Sequence, residues 1–337
     1  MTAMIANHFS QVGWDVAVLT LLQNSDNNFR TLSEKVLVSN FKAPWDVLHH
    51  KIKTIIPWIK FIKENLKLHS PDTILCMTFK IGALTGLSSR KYKKKIVIRE
   101  ISDPKSKSRS QFFNKVLEFL CRKSKRFIFQ TNWERSCFSK KTRLKSVVIP
   151  NPCDVKSKAP TLFDNRIICT SRLSYVQKRY DIVLKVFEII ANKYSNIELV
   201  IYGSGPDEQD IKDRAAKLPC FNRIHFEGAQ KNIPEKILGA RCFLMTSDYE
   251  GLSNSLLEAC LCGVPCVSSD WPGVESIISN GNSGLIYHRQ DVQEAAACIE
   301  KIINDENLCS KLSNNGIKQR SEFEPQKIFS MYEDALE

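Results

Sequence analysis

The sequence predicts an α/β protein built as two doubly wound, Rossmann-like domains, and three observations carry that reading. Short apolar, β-branched runs alternate with helical patterns along most of the chain, an order that builds parallel sheets covered by helices. The length, 337 residues, exceeds what a single hydrophobic core usually organises. Charge then divides the chain: residues 1–160 hold 30 Lys and Arg against 11 Asp and Glu, a net of +19, whereas 161–337 carry a net of −6. The polar, proline-bearing stretch PNPCDVKSKAP at 150–160 coincides with that break and reads as the linker. The expected division is a first domain over 1–155 and a second over 156–322, with a terminal helix over 323–337 packing back on the first.

Taken in order, the opening MTAMIANHFSQVGWDVAVLTL reads as a helix followed by a strand. Strands then fall at TILCM, KIVIRE, RFIFQT and SVVIP in the first half. The second half offers RIICTS, IELVIYG, RIHFEG, CFLMTS, PCVSS and GLIY. Between them, YDIVLKVFEIIANKY places Ile182, Val183, Val186, Phe187 and Ile190 on one helical face. Composition excludes a disordered, collagen-like or coiled-coil chain, with 43% hydrophobic and 25% charged residues. No apolar run approaches the roughly 20 residues that cross a bilayer, since IIPWIKFI is broken by Pro57 and Lys60. The opening residues carry no basic leader and no continuous apolar region, so no signal peptide is expected. Twelve cysteines include no Cys-x2-Cys pair; Cys260, Cys262 and Cys266 sit in a helix-turn-strand pattern, and buried reduced thiols are expected.

Ligands of doubly wound sheets bind beyond the carboxyl ends of the strands, which directs attention to three loops. In TSRLSYVQKRYD, Arg172 and Lys178 place two cations beside a helix start, a combination suited to a diphosphate. The spacing equally fits two solvated loop charges. In IYGSGPDEQ, Gly203 and Gly205 allow close backbone approach to a ligand, and simple turn geometry accounts for them as well. In TSDYEGLSNSLLEACLCGVPCVSS, Glu250 and Gly251 precede a helix beginning near Ser253–Ser255, with Glu258 expected in its first turn. Carboxylates there can accept hydrogen bonds from sugar hydroxyls, while Ser255 and Glu258 alternatively form an S-x-x-E capping box that needs no ligand. Eight residues of helix would hold Glu250 and Glu258 about 12 Å apart. Glycoside hydrolases need their carboxyl pair at about 5–5.5 or 6.5–9.5 Å, so hydrolysis is disfavoured.

These three loops, in this order, resemble the retaining nucleotide-sugar glycosyltransferases of family 4, which have the GT-B fold of two such domains facing across a cleft. Arg172 and Lys178 match that family's diphosphate clamp, and Glu250 and Glu258 match its paired-glutamate motif. SNSLLEACLCGVPCVSSDWPGVESIISNGNSGLIY looks like the donor-site signature, and VIPNP with Asn151 looks like the segment leaving the first domain. The resemblance implies that Glu258 holds the donor ribose and that Arg172 and Lys178 neutralise the departing diphosphate. It implies that Glu250 and the backbone of Gly251, Leu252 and Ser253 hold the sugar, with Asn254 and Gly203 also on the donor side. Glu100, in VIREISDP, falls where many members place a histidine near the sugar. Transfer with retention, without a metal or other cofactor, is implied, and no Asp-x-Asp motif is present. The expected donor is a UDP- or GDP-linked sugar and the expected acceptor a saccharide or lipid-linked saccharide of a cell-surface polysaccharide.

Two departures from the family pattern stand out. Arg172 to Lys178 is one residue longer than the common spacing, so the loop must bulge. The family's first strand and glycine-rich turn are absent before the first helix, so Met1 is expected to be internal, with roughly 15–25 residues upstream. The basic half adds RKYKKK at 90–95, RKSKR at 122–126 and the segment WDVLHHKIKTIIPWIKFIKENLKLH. There Trp45, Trp58, Ile55, Ile56, Ile59 and Phe61 mix with Lys51, Lys53, Lys60, Lys63 and Lys67, which suits an anionic membrane surface or a helix packed on the sheet with a lysine outer face. The first is favoured, giving a cytoplasmic protein held peripherally on the inner face of the membrane. Nucleic acid is not an expected partner, because no recognisable module or stacking array accompanies the charge. A nucleotide-sugar epimerase, a phosphorylase, or an inactive ligand-binding relative remain alternatives on the same fold.

Overall fold

The computed structural model describes residues 1–20, 32–41, 55–101, 103–105, 110–157, 159–160 and 162–337. It forms two compact units, Met1–Asn151 with Gln326–Glu337, and Pro152–Pro325.

The second unit carries six parallel strands: β7 (Arg166–Thr170), β8 (Glu198–Tyr202), β9 (Ile224–Gly228), β10 (Cys242–Met245), β11 (Cys266–Ser269) and β12 (Leu285–Tyr287). Their spatial order is β12-β11-β10-β7-β8-β9, so the sheet winds outward in both directions from β7. Both faces are covered, which is why these strands read as continuous apolar runs. In β7, Ile167 and Cys169 enter one core and Ile168 the other, the period of two that a strand imposes. Helix α8 (Tyr180–Lys193) buries Ile182, Val183, Val186, Phe187 and Ile190, the face expected from their spacing. Adjacent β7 and β10 (Ile167 opposite Cys242, Ile168 opposite Phe243) come from opposite windings, so the loops leaving their carboxyl ends meet at the switch point.

The first unit is divided. Strands β3 (Ile74–Cys76), β4 (Ile96–Arg99), β5 (Arg126–Phe129) and β6 (Ser146–Val148) form one parallel sheet. Helices α1 (Thr2–Gln11) and α14 (Pro325–Leu336) cover one face through Ile5, Phe9, Ile328 and Tyr332 against Val97 and Ile128. Phe79 of α3 (Phe79–Ser88) and Leu117 of α4 (Gln111–Cys121) cover the other, against Ile98 and Phe127. Strands β1 (Ala17–Thr20) and β2 (Leu37–Asn40) pair separately. β2 is absent from the sequence expectation, because Leu37 and Val38 are exposed and the strand has no apolar face to announce it.

Between β1 and β3 lies a groove of about 300 Å³, lined by Val18 and Leu19, by Ile74 and Leu75, by Ile5 of α1 and by Leu66 of α2 (Ile55–His69). Of the basic aromatic segment, Ile62 and Leu66 pack against Tyr92 while Lys60, Lys63 and Lys67 face outward; Trp45, Lys51 and Lys53 lie outside the described residues.

At the carboxyl ends of β4 to β6 the first unit buries a polar network. Arg99 donates from Nε to the Tyr332 hydroxyl at 2.5 Å and from its guanidinium to Asn151 Oδ1. Glu100 is fully buried, its Oε1 accepting from the Ile101 amide at 3.2 Å. Glu134 is equally buried and accepts from the Gln130 amide at 2.6 Å. Burial pushes the Glu134 carboxyl up to about 8, against the opposing effect of the Gln130 hydrogen bond.

All twelve cysteines are free, and Cys260, Cys262 and Cys266 pack in the second unit's core as small apolar groups. Only Cys137 and Cys153 are half-buried. A thiol reagent should therefore modify no more than these two rapidly in the native protein, and all twelve after denaturation. For Glu134, a raised folded pKa means that the native state binds the extra proton, so stability falls as pH rises from the unfolded carboxylate range through about 8. Glu134→Gln, neutral throughout, should flatten that fall in urea titrations run between pH 5 and 9.

Candidate functional site

The loop after β7 contains a one-turn helix, α7 (Tyr175–Lys178), followed by Arg179 in the left-handed region at φ 51° and then by α8. The bulge expected from the long Arg172–Lys178 spacing takes this form. Arg172 is exposed, and its side chain makes no hydrogen bond or ion pair among the described residues. Lys178 is in the opposite situation. Its Nζ lies 2.5 Å from Glu250 Oε1, with the two side chains 13% and 9% exposed. Gln177 Nε2 donates to Glu250 Oε2 at 3.2 Å and to the Tyr249 carbonyl at 3.0 Å. Two residues 72 positions apart are thus joined at the ends of β7 and β10.

A second tie secures the same two loops. Arg179 forms a two-pronged pair with Asp181, at 3.0 and 2.9 Å, and reaches Asp248 Oδ2 at 3.2 Å. These carboxylates hold the guanidinium pKa above its ordinary value, the Asp181 hydrogen bonds contributing most. Burial works to raise the Asp181 pKa in turn, and Arg179 outweighs it, leaving Asp181 below the ordinary carboxylate range. Asp248 also accepts from Gln290 Nε2 at 3.3 Å, while its amide donates to the Gln177 carbonyl at 2.9 Å. Left-handed backbone at a non-glycine residue costs about 1–2 kcal/mol. Arg179 and Gln290, at φ 51° and 70°, both adopt it and both hold Asp248.

Beyond Glu250 the chain enters α11 (Asn254–Leu261), and here the structure corrects the sequence reading. Ser253, not Ser255, is the N-cap; its Oγ accepts from the Leu256 amide at 3.4 Å. No Ser255–Glu258 capping box forms, because Glu258 stands fifth in the helix, in its second turn, where it is half-buried. Leu252 and Ser253 are buried, Gly251 half-buried and Asn254 exposed. The amides of Gly251, Leu252 and Ser253 have no acceptor among the described residues. Unpaired amides before a helix start, next in sequence to Glu250, are groups that can donate to an anion or to a hydroxyl oxygen.

Gly203, at φ 133°, closes the neighbouring turn. A Cβ there would stand 1.9 Å from the Ser171 carbonyl oxygen, and one at Gly205 would stand 2.2 Å from that of Leu173. The glycines are thus required for the loop after β8 to pass the loop after β7, locked by the Leu173 amide donating to Ser204 at 3.0 Å. Of the expected site residues, Arg172, Lys178, Gly203, Glu250, Gly251, Leu252, Ser253, Asn254 and Glu258 belong to the second unit; Glu100 lies in the buried network of the first. Sequence reasoning missed Gln177, Arg179 and Asp248. The Gln-Lys-Arg run was a usable signal for the first two, whereas nothing in SDYEG distinguishes Asp248 from a surface acid.

The chain resembles known glycosyltransferases in sequence and in fold. The family model described as Glycosyl transferases group 1 matches residues 155–319, and that described as Glycosyl transferase 4-like matches residues 1–131. The chain is 29% identical over 157 residues to the N-acetyl-alpha-D-glucosaminyl L-malate synthase of Bacillus anthracis, covering 46% of this chain and 41% of that one. It is 28% identical over 169 residues to the lipopolysaccharide 1,6-galactosyltransferase of Salmonella typhimurium, covering 48% and 44%. The chain thus aligns with less than half the length of these curated relatives. In fold it resembles the Anabaena protein HepE, solved in complex with UDP, at a TM-score of 0.74 and 19% identity over 90% of this chain and 86% of that one. With the two models falling one on each half, and parallel sheets in both units, the chain belongs to the GT-B glycosyltransferases of the family 4 type.

Proposed function

We propose that this protein is a retaining, metal-independent glycosyltransferase that moves a sugar from a UDP- or GDP-linked donor to a saccharide or lipid-linked saccharide in cell-surface polysaccharide synthesis. It works on the cytoplasmic face of the membrane as a peripheral protein. The observation that carries the reading is the Lys178–Glu250 pair at the switch point, flanked by unpaired amides and the exposed Arg172. Two features of the relatives agree with it: HepE is described in complex with UDP, and the Salmonella relative by name transfers galactose in lipopolysaccharide.

In this reading the nucleotide's ribose hydroxyls donate to Glu258 and its diphosphate lies between Arg172 and Lys178. As the glycosidic bond to the diphosphate breaks, negative charge grows on the leaving oxygen, and the two cations stabilise it where a metal would otherwise serve. Lys178 exchanges its Glu250 partner for the phosphate, which leaves Glu250 to accept from a sugar hydroxyl. The Gly251–Ser253 amides hold the sugar from the same side, with Asn254 at the rim, and the acceptor oxygen attacks on the face the diphosphate leaves. Gly203 contributes by keeping the neighbouring turn close to the clamp loop. Glu100, in the first unit, contributes a polar active-site group.

Donor binding gives the first test. A nucleotide sugar should raise the melting temperature of the wild type, and Glu258→Ala should abolish the shift. A shift that survives in the variant sinks the ribose assignment. The second test separates the cations. Arg172→Ala should cut turnover by about 10²–10³ with little loss of stability, as removal of an exposed transition-state donor does. Lys178→Met alone should lose about 3–5 kcal/mol of stability because it strands a buried carboxylate, and Lys178→Met with Glu250→Gln should recover most of it. Turnover should stay low in the double variant, and EDTA should leave wild-type turnover unchanged.

A further inference from the structure

Helix α4 is anchored on one narrow side only. Leu117 and Cys121 are its buried residues, and Asn114 Nδ2 donates to the Pro104 carbonyl at 2.7 Å. Phe112 is 78% exposed, Phe119 61% and Phe113 46%, with Val116 and Leu120 also in solvent. At 100° per residue these five fall in one arc of about 120°, continuous with the buried side. No packed segment among the described residues covers that arc. Basic groups accompany it: Lys115 lies on its flank, Arg122 and Lys123 follow directly at the helix's carboxyl end, and all three are exposed. The Arg122 guanidinium lies 3.8 Å from the Phe119 ring centroid, so charge and aromatic surface are presented together. The helix's single acid, Glu118, is taken up by the Ser139 amide at 2.9 Å.

We infer that the exposed face of α4 is the surface by which this protein docks on an anionic lipid bilayer, with the phenylalanines inserted among the headgroups and Lys115, Arg122 and Lys123 on lipid phosphates. This deepens the peripheral-membrane part of the proposed function, on which it rests, and adds α4 to the segment around α2, where Ile55 and Ile56 are also exposed. An aqueous surface gains nothing from Phe112 and Phe119 largely exposed and Phe113, Val116 and Leu120 partly so, and a basic flank without free acids favours an anionic partner. Each Lys or Arg near an anionic surface contributes about 1 kcal/mol, an attraction that salt screens. Pro104, to which the helix start is tied, closes the loop that follows β4 and Glu100. Docking α4 therefore sets the carboxyl ends of the first unit's strands beside the bilayer, where a lipid-linked acceptor would arrive.

Flotation of the full-length protein with vesicles of phosphatidylcholine alone, or with 30% phosphatidylglycerol, tests this directly. Binding is expected only to the anionic vesicles and should weaken severalfold between 50 and 500 mM salt. The variant with Phe112→Ser and Phe119→Ser should bind at least tenfold more weakly, and the variant with Lys115→Glu and Lys123→Glu should behave likewise. Both should keep the wild-type melting temperature and its shift with nucleotide sugar, since these residues touch neither core nor clamp. Undiminished flotation of the phenylalanine variant places the docking surface elsewhere and overturns the inference. So does light scattering that shows a dimer dissolved by that variant, which would make a second copy the occupant. Loss of the nucleotide-sugar shift in the wild type counts against the proposed function alone, because flotation is read without it.

Discussion

The candidate donor site depends on one carboxylate, Asp248. Two loops leave adjacent strands at the switch point of the second sheet, and nothing in strand pairing fixes one relative to the other. Asp248 supplies the constraint. It takes the Arg179 guanidinium from one loop and the Gln290 amide from another, and its own N–H donates to Gln177. Arg179 and Gln290 both sit in left-handed backbone, a cost of about 1–2 kcal/mol each that persists because surrounding contacts over-determine the geometry. Lys178 immediately precedes Arg179, and Glu250 follows Asp248 by two residues. Holding Arg179 against Asp248 therefore brings Lys178 to Glu250. The strain is local, and what it secures is the meeting of two motifs 72 residues apart.

Much of this was legible in the sequence, for reasons that differ between the two units. The second sheet is buried on both faces, so each of its strands had to be a continuous apolar run, and the helix faces followed from a period of 3.6. Among the candidate site residues, Arg172, Lys178 and Glu250 are charged where a bare strand-to-helix turn needs no charge, which makes them visible. The first unit writes itself less plainly. Strand β2 leaves Leu37 and Val38 in solvent, so it lacks the alternation that betrays a half-buried strand. The cap at Ser253 was misassigned by two residues because SNS offers two serines before α11, and backbone geometry, not composition, chooses between them. Asp248 was invisible because its partners come from 69 and 42 residues away.

The exposed face of α4 shows a related ambiguity. A hydrophobic stripe signals burial, yet a helix apolar over more of its circumference than its neighbours cover presents the same pattern as a core helix. The segment around α2 drew attention in the sequence because lysines interrupt its aromatics. In the structure Ile62 and Leu66 of α2 pack inward while its Ile55 and Ile56 stay exposed, and Phe112 and Phe119 of α4 are exposed as well. Burial is a property of what lies opposite a helix, and a sequence pattern reports only one side of that contact.

The Lys178–Glu250 pair is best understood by what it does not contribute. A buried ion pair recovers in Coulomb attraction about what it loses in desolvation, so replacement by apolar groups would leave stability nearly unchanged. Its net charge is zero as well, so it does not draw an anion in. In the proposed function that task falls to Arg172, solvent-facing and without a partner among the described residues, and to the unpaired amides before α11. A dianionic diphosphate attracted by those groups would meet an ammonium already desolvated and already aimed, and would displace a carboxylate whose other oxygen is still held by Gln177. The cost of desolvating Lys178 would thus be met during folding and not during binding. On that proposal the exposed guanidinium captures, and the buried ammonium waits at the reacting end.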